Sequence, residues 1–335
     1  MLRTAVIGAG NRARGLMAQL AGDGRFALAA VVEPLEERRR AAQARFGIPF
    51  AVASLEALFA PPQAPSLDCA VIATPPWLHR EAFCAVLARG LPCFCEKPMD
   101  MDLREADRMR QAAAGRRAPV LFGFNRRFTA AARLARTLRG SEPPHFVHTS
   151  KSRPMTYSRM LAENAVHAAD LLLCLAASTP ETVRATGVFK DAAMEAEGFI
   201  SAAVSFVGGG GGSLQMVTEG HGSVERFEIY GRDYTLVADL PGSVRYGGDP
   251  SRLREAAASA GLALTEGGGG RWEVSGEPDV AAELGTFAAL VRGETVPPDL
   301  PGPEEAFEAQ RLVEAVYRSA GLPPSRWTGT WVREQ

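Results

Sequence analysis

No stretch of this 335-residue sequence is apolar for the roughly 18 residues that a membrane span requires. The best apolar runs, such as residues 171–177, have the length of buried segments. The amino terminus also lacks the long apolar region and the cleavage site of a signal peptide. We therefore expect a soluble protein that stays in the cytoplasm.

The sequence also lacks an excess of charge, since 37 basic residues face 38 acidic residues. A balanced chain has no strong field to attract nucleic acid or an anionic membrane surface, so we expect a small-molecule partner. Cysteine is scarce and forms no Cys-x-x-Cys pair, which favours reduced thiols, at positions 69, 84, 93, 95 and 174. No metal site is indicated by the spacing of the histidines, which lie at 79, 145, 148, 167 and 221.

The first half of the chain alternates short β-type runs with longer helical patterns, as βαβ units do. Ser54 and Asp102 are plausible helix N-caps, and Gly90 and Gly115 mark helix ends. The pattern predicts an α/β fold with a doubly wound parallel sheet of the Rossmann type. Its strands are expected at Arg3–Ile7, Phe26–Glu33, Phe50–Val52, Cys69–Ala73, Pro92–Cys95 and Val120–Phe122.

A glycine-rich turn follows the first predicted strand and opens a helix. Gly8, Gly10 and Ala13 fit Gly-x-Gly-x-x-(Gly or Ala), which lets a pyrophosphate approach the first helical amides, near Asn11. The turn alone fits an ordinary strand-to-helix connection equally well. Glu33 favours the nucleotide interpretation, because it ends the next strand 20 residues after Ala13, where an acidic residue binds the adenosine ribose.

The same carboxylate of Glu33 predicts a preference for NAD over NADP, because it repels a 2′-phosphate. Arg38, Arg39 and Arg40 would weaken that preference if one of them folded back over the strand end. A solvated helix face is the favoured interpretation of these arginines.

Two further strand ends carry candidate functional residues, which we expect to border the cofactor. Thr74 and Pro75 follow the fourth strand, at the edge where open α/β sheets bind ligands. His79 is either a cofactor contact or a helix-start residue bonded to its own backbone. Glu96 and Lys97 follow the fifth strand, where Lys97 is either a functional amine or a surface lysine paired with Glu96. The proline after Lys97 restricts its backbone.

Beyond Phe128 the alternation stops, and β-type runs with short turns indicate an α+β domain with a large, mostly antiparallel sheet. We expect two domains, residues 1–124 and 125–335. The glycine runs at 208–212 and 267–270 are interpreted as hairpin loops. The strands of this half are expected at Phe146–Ser150, Val183–Phe189, Phe199–Val207, Leu214–Glu219, Arg226–Tyr230 and Tyr234–Asp239, with helices at Ala130–Leu138 and Glu304–Ser319.

One predicted helix of the second half combines a carboxylate with an imidazole. Glu163 and His167 are four residues apart and would share a face, with Asp170 on the next turn. A carboxylate beside an imidazole holds its tautomer and raises its basicity. From these residues alone, a capped helix with a packed histidine is the slightly favoured interpretation.

Taken in order, these motifs resemble those of the Gfo/Idh/MocA family of glucose-fructose oxidoreductase, inositol dehydrogenase and relatives. The resemblance covers about the first 175 residues, through the glycine loop, Ala73-Thr74-Pro75-Pro76 with His79, Glu96-Lys97-Pro98 and Gly123-Phe124-Asn125-Arg126-Arg127-Phe128. It implies a dehydrogenase that acts on a CH–OH group of a sugar, cyclitol or sugar acid. NAD is the expected cofactor, with NADP as the alternative.

The resemblance also implies roles for individual residues. Lys97, Glu163 and His167 occupy the positions of the family's catalytic trio, although Glu163 replaces the usual aspartate. His167 would take the hydroxyl proton, oriented by Glu163, while Lys97 bonds the same oxygen. The second domain is expected to bind substrate and to form a homo-oligomer, a dimer or tetramer. The candidate substrate ligands are Arg126, Arg153 and Asp170.

Two other functions fit the same motifs. A redox-neutral enzyme would keep the cofactor bound and use transient oxidation for elimination, hydrolysis or epimerisation of a sugar. A non-catalytic regulator would only sense NAD, although such a protein would not need both Lys97 and His167.

Overall fold

The computed structural model describes residues 1–60, 62, 64–154, 160–191, 196–218 and 222–322. The chain divides into two compact units. The first unit contains Met1–Gly123 and Val280–Phe307, and the second contains Phe124–Asp279 and the described residues from Glu308 onward. The chain therefore enters the first unit a second time, at Val280–Phe307. The two domains expected from the sequence, residues 1–124 and 125–335, do not include this return.

The first unit is built on a six-stranded parallel sheet with the order β3-β2-β1-β4-β5-β6. This is the order of a doubly wound dinucleotide-binding sheet, so the predicted fold class is confirmed. Its central strands read as unbroken apolar runs because helices cover both faces. The strands are β1 Leu2–Ile7, β2 Phe26–Val32, β3 Phe50–Val52, β4 Cys69–Ile72, β5 Cys93–Cys95 and β6 Val120–Phe122.

The second unit is built on a nine-stranded mixed sheet with the order β14-β15-β13-β12-β11-β7-β10-β9-β8. Only the β7 and β10 pair is parallel, so the predicted, mostly antiparallel sheet is also confirmed. The sequence did not predict the last three strands. The strands are β7 Phe146–Ser152, β8 Pro180–Asp191, β9 Ala196–Phe206, β10 Gly211–Val217, β11 Val224–Tyr230, β12 Thr235–Asp239, β13 Ser243–Gly247, β14 Ala263–Gly268 and β15 Arg271–Ser275.

Helices follow the strands of the first sheet and flank the second. They are α1 Asn11–Gly22, α2 Glu36–Phe46, α3 Leu55–Leu58, α4 His79–Ala88, α5 Leu103–Ala113, α6 Ala130–Arg139, α7 Met160–Glu163, α8 Val166–Ala176, α9 Pro250–Ser259, α10 Asp279–Arg292 and α11 Pro303–Ser319. No helix in the described part of the chain has the length and apolar composition needed to cross a membrane.

The predicted helix boundaries of the first unit are confirmed by their caps. The side chain of Ser54 accepts a hydrogen bond from the amide of Ala57, and that of Asp102 accepts one from the amide of Arg104. Gly90 and Gly115 lie just past helix ends with φ of +69° and +73°, the left-handed conformation that glycine adopts without strain.

The core of the first unit lies between the sheet and its helices. Val6, Val31 and Phe94 are fully buried there together with Leu16 of α1. Phe287 of α10 meets Phe94 edge to face, with ring centroids 5.8 Å apart. The returning segment is therefore part of the core that supports the strand ends.

Candidate functional site

The glycine loop joins β1 to α1, and its two glycines differ in what a side chain would meet. Gly8 has φ of +103°, and a Cβ there would lie 2.7 Å from the carbonyl oxygen of Ala73. A Cβ on Gly10 would meet nothing within 4 Å, so the loop opens at that point. Gly10 is also the N-cap of α1 and gives it no side-chain cap. The loop therefore has space and helix amides for an anion, as a dinucleotide pyrophosphate would need.

Glu33 lies just past β2 and is largely buried. Its Oε2 accepts the amide of Ala9 at 2.8 Å and its Oε1 accepts the amide of Leu35 at 3.0 Å. The carboxylate therefore fixes the glycine loop. Each carboxylate oxygen has a second acceptor site, so it can also take a ribose hydroxyl.

Arg39 folds back over the same strand end. Its Nη1 donates to the carbonyl oxygens of Glu33 and Pro34 at 2.7 and 3.1 Å. The favoured interpretation of a solvated face is therefore wrong for Arg39, while Arg40 does form an exposed pair with Glu36. A positive charge thus lies beside the residue expected to select between NAD and NADP.

Thr74 gives the clearest sign of a missing ligand at the carboxyl edge. Its hydroxyl oxygen is buried and has no hydrogen-bond partner among the described residues. A buried hydroxyl normally has a partner, and a passing ribose would supply one. Together with the opening at Gly10, this site fits a bound dinucleotide.

His79 lies against backbone, which favours the second of its two predicted roles. The imidazole is 1% exposed, with Nδ1 2.9 Å from the carbonyl oxygen of Pro98 and Nε2 2.9 Å from that of Thr74. Both nitrogens are therefore used within the fold, as in the alternative of a helix-start residue bonded to backbone. Burial lowers the pKa of His79, and the two carbonyl oxygens oppose that shift.

Glu96, also predicted as a cofactor contact, lies in an ion pair with Arg12. It is 4% exposed, and its Oε1 accepts Nε and Nη2 of Arg12 at 2.7 and 2.6 Å. Sequence reasoning missed this pair, because the two residues are far apart in the chain. Lys97, the next residue, is half-buried at the carboxyl end of β5.

In the second unit, Glu163 and His167 do not share one helix as expected. Glu163 is the last residue of α7, a turn at Asn164 and Ala165 follows, and His167 lies in the first turn of α8. The carboxylate and the imidazole are therefore held by two short segments. The His167 ring is 7% exposed and meets the Phe124 ring edge to face, with centroids 5.8 Å apart.

Asp170, a predicted substrate ligand, lies in a buried salt bridge. It is fully buried, and its two oxygens accept Nε and Nη2 of Arg127 at 2.8 and 2.6 Å. Arg127 and Phe124 belong to the same sequence motif, so this motif supports α8 through both a salt bridge and a ring contact.

Arg126, another predicted substrate ligand, lies in a cluster of ion pairs. Its guanidinium binds both carboxylate oxygens of Glu225 and reaches Asp279 at 3.4 Å. Lys151, a residue that sequence reasoning missed, binds the same carboxylate at 2.8 Å. Burial raises the pKa of Glu225, but the hydrogen bond from Arg126 and the charges of both cations lower it to about 2. Arg153, at the end of β7, is exposed.

The alternation of β7 carried a signal for Lys151. Val147, Thr149 and Lys151 are buried on one face of the strand, whereas their neighbours are more exposed. A lysine on the inward face of a strand needs a carboxylate partner, and Glu225 provides it. Among the residues that the structure describes, no group of His, Cys, Asp and Glu is arranged to bind a metal ion.

The amino-terminal sequence matches a known family. A family model described as "Oxidoreductase family, NAD-binding Rossmann fold" matches residues 2–124. Inositol 2-dehydrogenase 4 of Saccharopolyspora erythraea is 33% identical over 184 residues, which are 50% of this chain and 52% of that protein. The match thus spans about half the length of that curated relative. The 1,5-anhydro-D-fructose reductase of Ensifer adhaerens is 25% identical over 288 residues, 75% of this chain and 82% of the reductase.

Solved structures share the fold over nearly the whole chain. UDP-N-acetylglucosamine 3-dehydrogenase of Acidithiobacillus ferrooxidans superposes with a TM-score of 0.77 at 22% identity, covering 95% of this chain and 97% of its own. A levoglucosan dehydrogenase solved with NADH also gives a TM-score of 0.77, at 19% identity, with 96% and 97% covered. At these identities the likeness establishes the fold alone.

Proposed function

We propose that the protein is an NAD-dependent dehydrogenase of the Gfo/Idh/MocA family, since residues 2–124 match the model of an NAD-binding oxidoreductase family. It transfers hydride between the cofactor and a secondary alcohol of a sugar, cyclitol or sugar acid. The observation that carries this proposal is Lys97, a half-buried amine just past the carboxyl end of β5, next to Glu96, which Arg12 of α1 binds. The names of the relatives, which include an inositol dehydrogenase and an anhydrofructose reductase, support this substrate class.

Different residues of the first unit bind different parts of the cofactor. Gly8, Gly10, Asn11 and Ala13 form the loop and helix start that receive the pyrophosphate. The riboses are bound by Glu33 and by Thr74, with Pro75 lining the path. His79 and Glu96 act indirectly, by holding backbone and side chains in place. When bound, the nicotinamide supplies the hydride acceptor.

Residues of this chain accept the proton of the substrate hydroxyl and stabilise its oxygen. His167 takes the hydroxyl proton, because hydride cannot leave a carbinol carbon unless its oxygen is deprotonated. Glu163 orients the imidazole, and Lys97 bonds the same oxygen and stabilises its developing negative charge. Arg153, which is exposed, is the remaining basic candidate for binding substrate hydroxyls or a carboxylate.

A substrate screen tests the proposed function. Sugars, inositols and their acids are mixed with the protein and NAD, and absorbance of the reduced nicotinamide is followed. Reduction of NAD by at least one polyol is expected. Product formation without lasting absorbance change, and without added cofactor, would indicate the redox-neutral enzyme. No turnover of any polyol, together with co-purification of a protein partner, would indicate an NAD sensor.

Cofactor choice is predicted to depend on the charge at the end of β2. Glu33→Gln keeps an acceptor for the Ala9 amide but removes the repulsion of a 2′-phosphate. We expect the ratio of kcat/KM for NADP to that for NAD to rise about tenfold, equivalent to about 1.4 kcal/mol. Arg39 contributes to this increase, because no carboxylate then opposes its attraction for the 2′-phosphate.

The matched variant for this prediction is Glu33→Gln with Arg39→Gln, which should lose most of the increase. An unchanged ratio in Glu33→Gln would mean that this strand end does not read the 2′-phosphate.

We also propose that the protein is a homo-oligomer that associates through the open face of the second sheet. Val188, Phe199 and Val217 lie in one cross-strand row, which continues through Ser152 to Val224, and the four apolar residues are 40–51% exposed. Such an apolar row on a sheet face favours contact with a second copy. Phe199→Glu should shift the protein toward monomer in light scattering coupled to size exclusion. Val207→Glu, at an exposed valine outside that row, is the control and should leave the mass unchanged.

A reducing compartment such as the cytoplasm is the proposed location. None of the five cysteines forms a disulfide, and four of them are buried. Free thiols persist where disulfides do not form.

A further inference from the structure

The residue before Lys97 is fixed by a side chain from the first turn of α1. Both Nε and Nη2 of Arg12 bind the carboxylate of Glu96, whose side chain is 5% exposed. The carboxylate has little room to move on its other side, because a Cβ on Gly123 would lie 3.1–3.2 Å from its atoms. A buried carboxylate is stable only with a partner, and Arg12 is the cation that pairs with it.

The residue after Lys97 is fixed from another direction. His79, at the start of α4, has one ring nitrogen 2.9 Å from the carbonyl oxygen of Pro98 and the other 2.9 Å from that of Thr74. Its burial leaves no water to compete for these contacts. Lys97 therefore lies between Glu96, which contacts Arg12 of α1, and Pro98, which contacts His79 of α4.

We propose that Arg12 and His79 are positioning residues that hold Lys97 from both sides, and we name Arg12, Glu96 and His79 the Lys97 clamp. The inference rests on the proposed function, in which Lys97 contacts the substrate oxygen. A lysine side chain is flexible, so its amine is placed accurately only when the backbone that carries it is fixed. A misplacement of about 1 Å at a reacting centre can cost about 10²-fold in rate.

Arg12 also joins the clamp to the cofactor loop. It lies in the first turn of α1, the helix whose amino end receives the pyrophosphate. The same guanidinium therefore connects the cofactor loop to the residue that precedes Lys97. The competing explanation is that Arg12 serves the phosphates alone and that its pair with Glu96 is incidental.

Two sets of variants separate these explanations. Arg12→Gln with Glu96→Gln removes both charges, so the net charge near Lys97 stays constant while the ion pair is lost. His79→Phe removes the second attachment, since the phenyl ring fills the same space but has no nitrogen to bond either carbonyl oxygen. Glu36→Gln with Arg40→Gln removes an exposed ion pair of the same unit and is the matched control.

The first measurement needs neither substrate nor cofactor. Lys97, Lys151 and Lys190 are the only lysines of the sequence, so acetylation by an N-hydroxysuccinimide ester can be followed at Lys97 by peptide mass spectrometry. Reactivity is normalised to the amino terminus, where Met1 is exposed. We expect Lys97 labelling to change at least threefold in both clamp variants and to stay constant in the control. The proposal is overturned if the labelling of Lys97 in both clamp variants stays within about 1.5-fold, the expected error, of its labelling in the unaltered protein.

The second measurement uses turnover of a polyol at saturating NAD. We expect kcat to fall about 10- to 100-fold in both clamp variants, with the Kd for NADH within about threefold. Glu96→Gln alone should also lower kcat. If Arg12 served the phosphates alone, Glu96→Gln would tighten NADH binding and leave kcat unchanged, which contradicts the clamp. If the unaltered protein oxidises no polyol, the proposed function fails, and the labelling result still decides whether the clamp exists.

Discussion

Replacing Lys97 with methionine should lower kcat by at least about 10³-fold, with the Kd for NADH within about threefold of that of the unaltered protein. Methionine is similar in length to lysine but cannot donate a hydrogen bond or carry charge. The loss follows from the proposed role of the amine, since removing one donor to a developing oxyanion costs up to about 10³-fold, and Lys97→Met removes the positive charge as well. NADH fluorescence and steady-state turnover of the best polyol measure the two quantities.

Lys97→Arg is the informative companion to this variant. Arginine keeps the positive charge but replaces the compact amine with a planar guanidinium that does not lose its proton. We expect its activity to remain within about tenfold of that of Lys97→Met. Full activity of Lys97→Met across the polyols that the unaltered protein oxidises would remove Lys97 from the mechanism.

Replacing Arg127 with methionine should destabilise the second unit by about 3–5 kcal/mol, the usual cost of leaving a buried charge without its partner. The side chains of Arg127 and Asp170 are 3% and 0% exposed, and two parallel hydrogen bonds join them. The unpaired carboxylate of Asp170 would lie inside α8, next to the turn that carries His167. Urea unfolding monitored by circular dichroism measures the change.

The double variant Arg127→Met with Asp170→Leu should recover most of that stability, because it removes both charges and fills the space with apolar groups. Arg226→Met is the control, since Arg226 and Asp239 form an exposed pair, which contributes about 0–1 kcal/mol. A loss below about 1 kcal/mol in Arg127→Met would mean that water or another group satisfies Asp170.

The sequence predicted the two sheets because each leaves a strong local pattern. The first six strands are short apolar runs separated by helices, and their predicted bounds differ from the observed ones by at most a residue at each end. The caps at Ser54 and Asp102 were predictable because one side chain and the helix that follows it determine them. The strands β13 to β15 were missed because they are short and interrupted by glycine and charged residues.

The site was harder to predict because its partners are distant in the chain. The pairs Arg12–Glu96 and Arg127–Asp170 and the contact of His79 with Pro98 depend on which strand ends meet at one edge. The break between α7 and α8 was missed because neither glycine nor proline marks it. Glu163 and His167 keep the spacing of one helix although a turn separates them. Local patterns thus identified candidate residues, whereas their contacts followed from topology.

The return of the chain to its first unit has a consequence for how the protein is made. Phe287 is fully buried against Phe94, and the amide of Phe122 on the outer strand β6 donates to the carbonyl oxygen of Pro301 at 2.8 Å. A nascent chain that has emerged only to Gly123 has neither partner, so it exposes apolar surface and an unpaired strand edge. The amino-terminal unit is therefore translated first but completed late, after the ribosome has also produced most of the second unit. Isolating it as a fragment requires Gly123 to be joined by a linker to Val280–Phe307.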